Sequence, residues 1–404
     1  MFEYLAPSRR DLPLHDPIFL ANAEAQRRKA EGIDVVNATL GSLVDDRGNL
    51  VVLDTIADVL RDLSPMESAP YAPITGHPEF LRALIQRHWP KHDGSGAGCS
   101  TPGGSGALST SLRNFLEPGM SLLAAAPCWG PYRVLARENG VGFETAPFPE
   151  AGKALDGDAW SGALDKLMKA QGRVLLWLNE PCHNPTGHSL TREDRQVLIS
   201  ALRRAAQSGP VTLILDCAYL DYTTEPAHVR EALDQYAELG EEGRVLVGGA
   251  LSISKAFTLY GGRGGALVFP WCRETQLQAA LANACRGTWS TAPLAPQSVM
   301  MRIARDGKLQ ARLAAEHRHW SEVIASRALA LDGALRAEGL AGCAWRGGFF
   351  ITLRLNRPAE TTEALKAQNA FVVPMPEGVR IGICALQAEL APRFARALRE
   401  ALRN

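Results

Sequence analysis

The chain has 404 residues, 43 lysines and arginines against 43 aspartates and glutamates, 46% hydrophobic residues and 21% charged ones. That length fills a large and a smaller domain with real cores, while the balanced charge leaves no net field to recruit nucleic acid or an anionic membrane. The opening MFEYLAPSRRDLPLHD has no apolar leader core and no later run is long and charge-free enough to span a bilayer, so a cytoplasmic protein is expected.

Taken in chain order, the segment before about residue 46 has no core of its own and is expected to pack on a C-terminal domain. Between about residues 100 and 270 short apolar runs alternate with helix-period segments, the signature of an α/β fold. SLLAAAP (121–127), RVLLWLN (173–179), VTLILD (211–216), RVLVGGAL (244–251) and GGALVF (264–269) read as strands buried on both faces. LTREDRQVLISALRRAAQ (190–207) reads as a crossover helix that stops before Gly209 and Pro210. After residue 290 comes a long Ala/Arg/Leu-rich helical stretch, a turn at Gly347 and Gly348, short strands in FFITLRL and VRIGICAL, and a terminal helix. The expected division is 46–309 as a large domain with a mostly parallel central sheet, and 1–45 with 310–404 as a smaller α/β domain.

The eight cysteines stand singly, at positions such as Cys99, Cys128, Cys182, Cys217 and Cys384, with no CxxC pair, so reduced thiols are the default. None of the nine histidines clusters with them, and no metal is expected.

The most informative stretch is SISKAFTLYGGRGG (252–265), which sets Lys255 between Ser252 and Ser254 with Arg263 eight residues later. An aldehyde cofactor needs an amine that can lose its proton, and a phosphate needs hydroxyls, backbone N–H groups and an arginine fork; pyridoxal 5′-phosphate needs both. A lone Ser-Lys pair is usually an accident, but HNPTG (183–187), DCAY (216–219) and TPGGSGAL (101–108) precede this one in order. In an open parallel sheet ligands sit at the carboxyl ends of strands, where Asp216 closes one run and Asn184 follows another. A carboxylate there is ordinarily a turn or capping residue. Beside such a lysine it has the task of keeping a pyridine nitrogen protonated, with Asn184 and Tyr219 bonding the ring's phenolic oxygen. Gly104, Ser105 and Gly106 open a helix whose free N–H groups and dipole suit an anion. Trp129, in PCWGP, reads as a face-on cofactor contact or as a core aromatic.

With these motifs the chain resembles, over nearly its whole length, the fold-type I pyridoxal phosphate enzymes of the aspartate and aromatic aminotransferase family. YAPITGHPEF (71–80) resembles the segment whose tyrosine reaches the neighbouring subunit's cofactor phosphate, which implies a homodimer and puts that role on Tyr71. VRIGICAL (379–386) resembles the segment whose arginine pairs with the substrate α-carboxylate, which puts that role on Arg380. The resemblance also sets Gly41 and Phe349 near the substrate. It implies a ping-pong transaminase acting through a Schiff base on Lys255, with amino acids and 2-oxo acids as substrates and glutamate/2-oxoglutarate as one pair. CRGTWSTAP (285–293) resembles the stretch in which an arginine crosses the dimer to a side-chain carboxylate; Arg286 sits there, a structural surface arginine being its other reading. Trp289 stands where a tyrosine is expected, Gly262 replaces an acidic residue, and the N-terminal substrate segment reads NATLGSL, so the amino acid stays open. A C–S β-lyase on the same fold is the enzymatic rival. A DNA-binding regulator is disfavoured, because the resemblance leaves no room for a helix-turn-helix domain and there is no basic footprint.

Overall fold

The computed structural model describes residues 4–10, 12 and 17–403, so residues 1–3, 11 and 13–16, part of the opening segment judged to lack a leader core, lie outside the described ones. The chain forms two compact units, one of Met1–Asn49, Ser326–Cys343 and Phe350–Asn404, the other of Leu50–Ala325 and Ala344–Phe349. In chain order the strands are β1 (Val36–Asn37), β2 (Ala97–Pro102), β3 (Ser121–Ala126), β4 (Gly142–Pro147), β5 (Val174–Leu178), β6 (Val211–Cys217), β7 (Leu246–Ser252), β8 (Gly264–Phe269), β9 (Phe350–Arg354), β10 (Ala370–Phe371), β11 (Val373–Met375) and β12 (Gly378–Gly382).

In the larger unit seven strands make one sheet in the order β2-β8-β7-β6-β5-β3-β4. Strands β3 to β7 pair in parallel, and β8 runs antiparallel to both its neighbours. The mostly parallel α/β sheet expected from the sequence is therefore present. Every residue of β5, β6 and β8 is buried, as continuous apolar runs covered on both faces by helices require. The helix Gly103–Phe115 lies on this sheet, and its Leu108 and Leu112 join Tyr132, Trp177, Ile214, Ala250, Leu267 and Phe269 in one core cluster. Truncating such a side chain to alanine costs about 2–5 kcal/mol, so this face fixes where the helix begins.

Two strands of this seven-stranded sheet escaped the sequence reading. AGCSTP, which forms β2, is fully buried up to Thr101 but built of small residues with no β-branched run. GFETAP, which forms β4, is an edge strand of mixed exposure, and its apolar signal is diluted accordingly. The expected crossover helix is Arg192–Ala205, opened by a capping box between Thr191 and Asp194.

In the smaller unit β11, β12 and β9 form an antiparallel sheet, and β1 pairs with β10 in parallel. The segment after β1 is laced to β12: Gly382 N donates to Ala38 O at 2.7 Å, and a Cβ at Gly382 would stand 2.3 Å from Leu40 O. Only glycine lets the two backbones approach so closely. Among the described residues no helix is long and apolar enough to cross a membrane.

Candidate active site

Strands β2, β3, β5, β6 and β7 all deliver their carboxyl ends to one edge of the large sheet. Because β8 is antiparallel, its beginning lies at that same edge, with Ser252 opposite Gly265 and Pro102 opposite Gly264. The segment joining β7 to β8 thus leaves and returns at one place, carrying Lys255 on its outward leg and Arg263 on its return.

An anion cradle follows from this register. The helix Gly103–Phe115 starts straight after β2 with no side-chain cap, so the N–H groups of its first turn, including Gly104, Ser105 and Gly106, have no cap to receive them. Gly103 has φ +71, donates its N–H to Arg263 O at 2.8 Å, and would place a Cβ 2.5 Å from Arg263 Nη2. Arg263, itself left-handed at φ 53, donates from Nη1 to Ser254 Oγ at 3.5 Å and to Tyr260 O at 2.9 Å. Ser252 Oγ accepts from Ser254 N at 3.3 Å. Two hydroxyls, a guanidinium and a helix start at one edge are groups that could hold a phosphate.

Beside the cradle stands a buried polar group. Asp216 is 7% exposed, and burial pushes its carboxyl up to about 6, opposed by the hydroxyl of Tyr132, which donates to Oδ2 at 2.6 Å. Tyr132 is 1% exposed, edge-on to Trp177 at 5.0 Å and to Trp129 at 5.8 Å, and its phenol is held well above its ordinary value chiefly by burial. Asn179 ties the neighbouring loop to this strand: Nδ2 donates to Asp216 O at 2.7 Å, and Oδ1 accepts from Asn184 N at 2.5 Å. The Asn184 amide bonds Tyr219 Oη at 3.2 Å through one atom, and its other polar atom is buried with no partner. Lys255, in the one-turn helix Ile253–Ala256, holds Nζ 4.7 Å from the Tyr260 ring centroid and 5.9 Å from that of Phe349. Phe349 is fully buried against Tyr219 and Tyr222.

The remaining candidates stand on other elements. Tyr71 is 92% exposed. Arg286 ends the helix Thr275–Arg286 and donates to the Ser290 hydroxyl. In the smaller unit, Arg380 on β12 is buried, donates to Thr39 O at 3.3 Å and holds its guanidinium carbon 4.1 Å from the Phe350 ring centroid. Gly41 follows in the same NATLGSL segment as Thr39.

Sequence reasoning passed over Tyr132 and Asn179. A tyrosine three residues after Trp129 looks like part of an amphipathic helix, and only the buried bond to Asp216 marks it. Asn179 stood at the end of a run already read as a strand, the signal that would have found it. Among the described residues no group of three or more His, Cys, Asp or Glu could hold a metal ion.

The donor set suits a ligand carrying a phosphate at the helix start and a protonated ring nitrogen at Asp216, within reach of chemistry by a lysine. Fold and site define an α/β protein with Lys255 at the carboxyl edge of a mostly parallel sheet. The chain belongs to the aminotransferase class I and II family, whose pattern matches residues 33–398. Its relatives include an aromatic-amino-acid aminotransferase of Pseudomonas aeruginosa, 29% identical over 74% of this chain and 73% of the relative. A tyrosine aminotransferase of Rhizobium meliloti is 28% identical over 91% and 94% of the two chains, and an aspartate aminotransferase of Escherichia coli 27% over 68% and 70%. Among solved structures, an aminotransferase of Anaerococcus prevotii superposes with a TM-score of 0.92 at 26% identity, covering 99% of this chain and all of that one. The protein is an aminotransferase, with amino acids and 2-oxo acids as its substrate class.

Proposed function

We propose that the protein is a pyridoxal 5′-phosphate-dependent, ping-pong aminotransferase in which Lys255 carries the proton between substrate and cofactor. The observation that carries this reading is the buried carboxylate of Asp216, fixed by Tyr132 at the sheet edge that also bears Lys255 and the phosphate cradle. A desolvated carboxylate is costly on its own and becomes favourable beside a ring N–H⁺. The unpartnered amide atom of Asn184 and the Tyr219 hydroxyl supply polar contacts for the ring's oxygen, and Gly104, Ser105, Gly106, Ser252, Ser254 and Arg263 hold the phosphate. Trp129 covers one ring face.

When bound, pyridoxal phosphate supplies an aldehyde that condenses with an amine and a cationic ring that draws electrons from the substrate Cα. The protein's residues do the rest. Lys255 Nζ would take the proton from the substrate Cα as general base and give it back as general acid. Asp216 holds the ring nitrogen's proton, and Arg380 orients the substrate by its α-carboxylate, with Gly41 and Phe349 bordering the same substrate.

We further propose a homodimer in which Tyr71, exposed in the single chain, completes the neighbour's phosphate site, with Arg286 facing the neighbour's substrate. Aromatic and aspartate aminotransferases both stand among the relatives, in keeping with glutamate/2-oxoglutarate as one exchange pair and an aromatic or dicarboxylic partner. The test is Lys255→Ala with pyridoxal phosphate, glutamate and an aromatic 2-oxo acid. Turnover should vanish while the fold is kept. Steady-state amino transfer by that variant would sink the assignment, and pyruvate and thiol released from cystathionine by the wild type without amino transfer would replace it with a lyase.

A further inference from the structure

The backbone of the turn that carries Lys255 is held by its own set of polar side chains. The helix carrying Lys255 is a single turn, Ile253–Ala256, closed by Phe257 N donating to Ile253 O at 2.9 Å and Thr258 N to Lys255 O at 3.0 Å. So short a helix has little stability of its own and must be held from outside. Two side chains from different elements take hold of its carbonyls. Tyr222, in the loop after β6, donates its hydroxyl to Lys255 O at 3.0 Å. His317, on the helix Gly307–Ala337, has Nε2 2.6 Å from Ala256 O. A carbonyl only accepts, so that nitrogen bears the proton. The two rings meet edge-on at 5.6 Å.

Both residues are themselves anchored. His317 Nδ1 lies 3.8 Å from Asp221, the carboxylate next to Tyr222, and Asp221 is paired with Arg87 from the helix Pro78–His88. The Arg87 guanidinium carbon stands 5.8 Å from the ring of Phe257, the residue that closes the lysine's turn, and Ser321 Oγ donates to Asp221 O at 3.3 Å. Thr258 holds φ 46, and its Oγ1 accepts from Leu53 N at 2.9 Å. Four segments distant in sequence thus converge on one turn of backbone.

We propose that Tyr222 and His317 are positioning residues for Lys255, a carbonyl clamp that fixes the lysine's Cα so that its amine returns to one trajectory in each half-reaction. Arg87 and Asp221 act at one further remove, holding the clamp. Tyr222 gives its hydroxyl to Lys255 O and His317 its Nε2–H to Ala256 O, so the clamp acts on the lysine's own backbone and its effect is expected in proton transfer more than in ligand affinity. The inference rests on the aminotransferase reading for its kinetic part alone.

The experiment compares wild type, Tyr222→Phe, His317→Ala and His317→Gln, the glutamine amide being able to donate where the imidazole does. In cofactor-free protein, hydrogen exchange followed by mass spectrometry reads the amides of 253–258; in protein loaded with pyridoxal phosphate, steady-state kinetics read kcat and KM. Loss of one neutral hydrogen bond should speed exchange of this turn about fivefold to tenfold and lower kcat by a similar factor, with KM within about twofold and His317→Gln recovering part of both. Unchanged exchange in both Tyr222→Phe and His317→Ala, a rise in KM with kcat intact, or a glutamine no better than alanine would overturn the clamp. No amino transfer by the wild type would overturn the functional reading instead, and the exchange data would still decide the clamp.

Discussion

Replacing Asp216 by asparagine should stabilise the cofactor-free protein while destroying its activity. Burial raises the Asp216 carboxyl from 3.8 to about 6. The native state therefore keeps this proton across a range in which the unfolded chain has released it, and stability falls as pH rises from about 4 to about 6, then stays lower. A shift of about two pH units corresponds to about 3 kcal/mol at pH 7 to 8, the cost of burying the charge with only the Tyr132 hydroxyl to compensate it. Asparagine keeps an acceptor for that hydroxyl and has no charge to desolvate. Urea unfolding of cofactor-free wild type and Asp216→Asn at pH 4.5 and pH 8 measures the difference: about 1 kcal/mol in favour of the variant at the lower pH and about 3 kcal/mol at the higher. Turnover with pyridoxal phosphate should fall by about three orders of magnitude, because the ring nitrogen loses its anionic partner. A variant less stable than wild type at pH 8, or a difference that does not change with pH, would refute the account of Asp216 as a desolvated charge awaiting a cation.

Tyr132→Phe removes the bond that lowers the Asp216 carboxyl, so the acid limb of kcat/KM should move to higher pH and kcat should fall about tenfold, as a pH–rate profile would show. Arg195 and Glu180 form a pair at 3.1 Å with no exposure on either side chain, and burial pushes the Glu180 carboxyl up to about 7. Arg195→Leu leaves that acid unpaired and should cost about 3–5 kcal/mol in equilibrium unfolding, with activity per folded molecule nearly unchanged. Mixing Lys255→Ala chains with Tyr71→Ala chains and reassembling them should recover about a quarter of wild-type activity, since half the dimers are hybrid and each hybrid rebuilds one complete site; no recovery would place Tyr71 outside the neighbour's site.

How far the sequence carries depends on which interactions are local. β5 and β6 are legible because continuous burial demands continuous apolar side chains, and RVLLWLN and VTLILD supply them. β2 is equally buried but is made of small residues, so its strand character comes from the pairing with β8 and not from its own composition. The direction of β8 is invisible in GGALVF, which would read the same run either way, yet that direction brings Arg263 to the edge that carries Lys255. Within the site, Lys255, Asp216, Asn184 and Arg263 announce themselves through flanking glycines, serines and strand ends. Tyr132 does not, since its distinguishing feature is a bond to a residue 84 positions away. The same holds for Tyr222 and His317, whose partners are backbone carbonyls, groups every residue owns.

The reversed strand has a further consequence for how this protein can be altered. Because Ser252 and Gly265 face each other across the ladder, the two ends of the loop bearing Lys255 and Arg263 are pinned a fixed distance apart. The loop therefore behaves as a cassette. A replacement that keeps both ends in register could be grafted whole, whereas a single residue inserted within β8 would slip its pairing and flip the face on which that strand's side chains emerge.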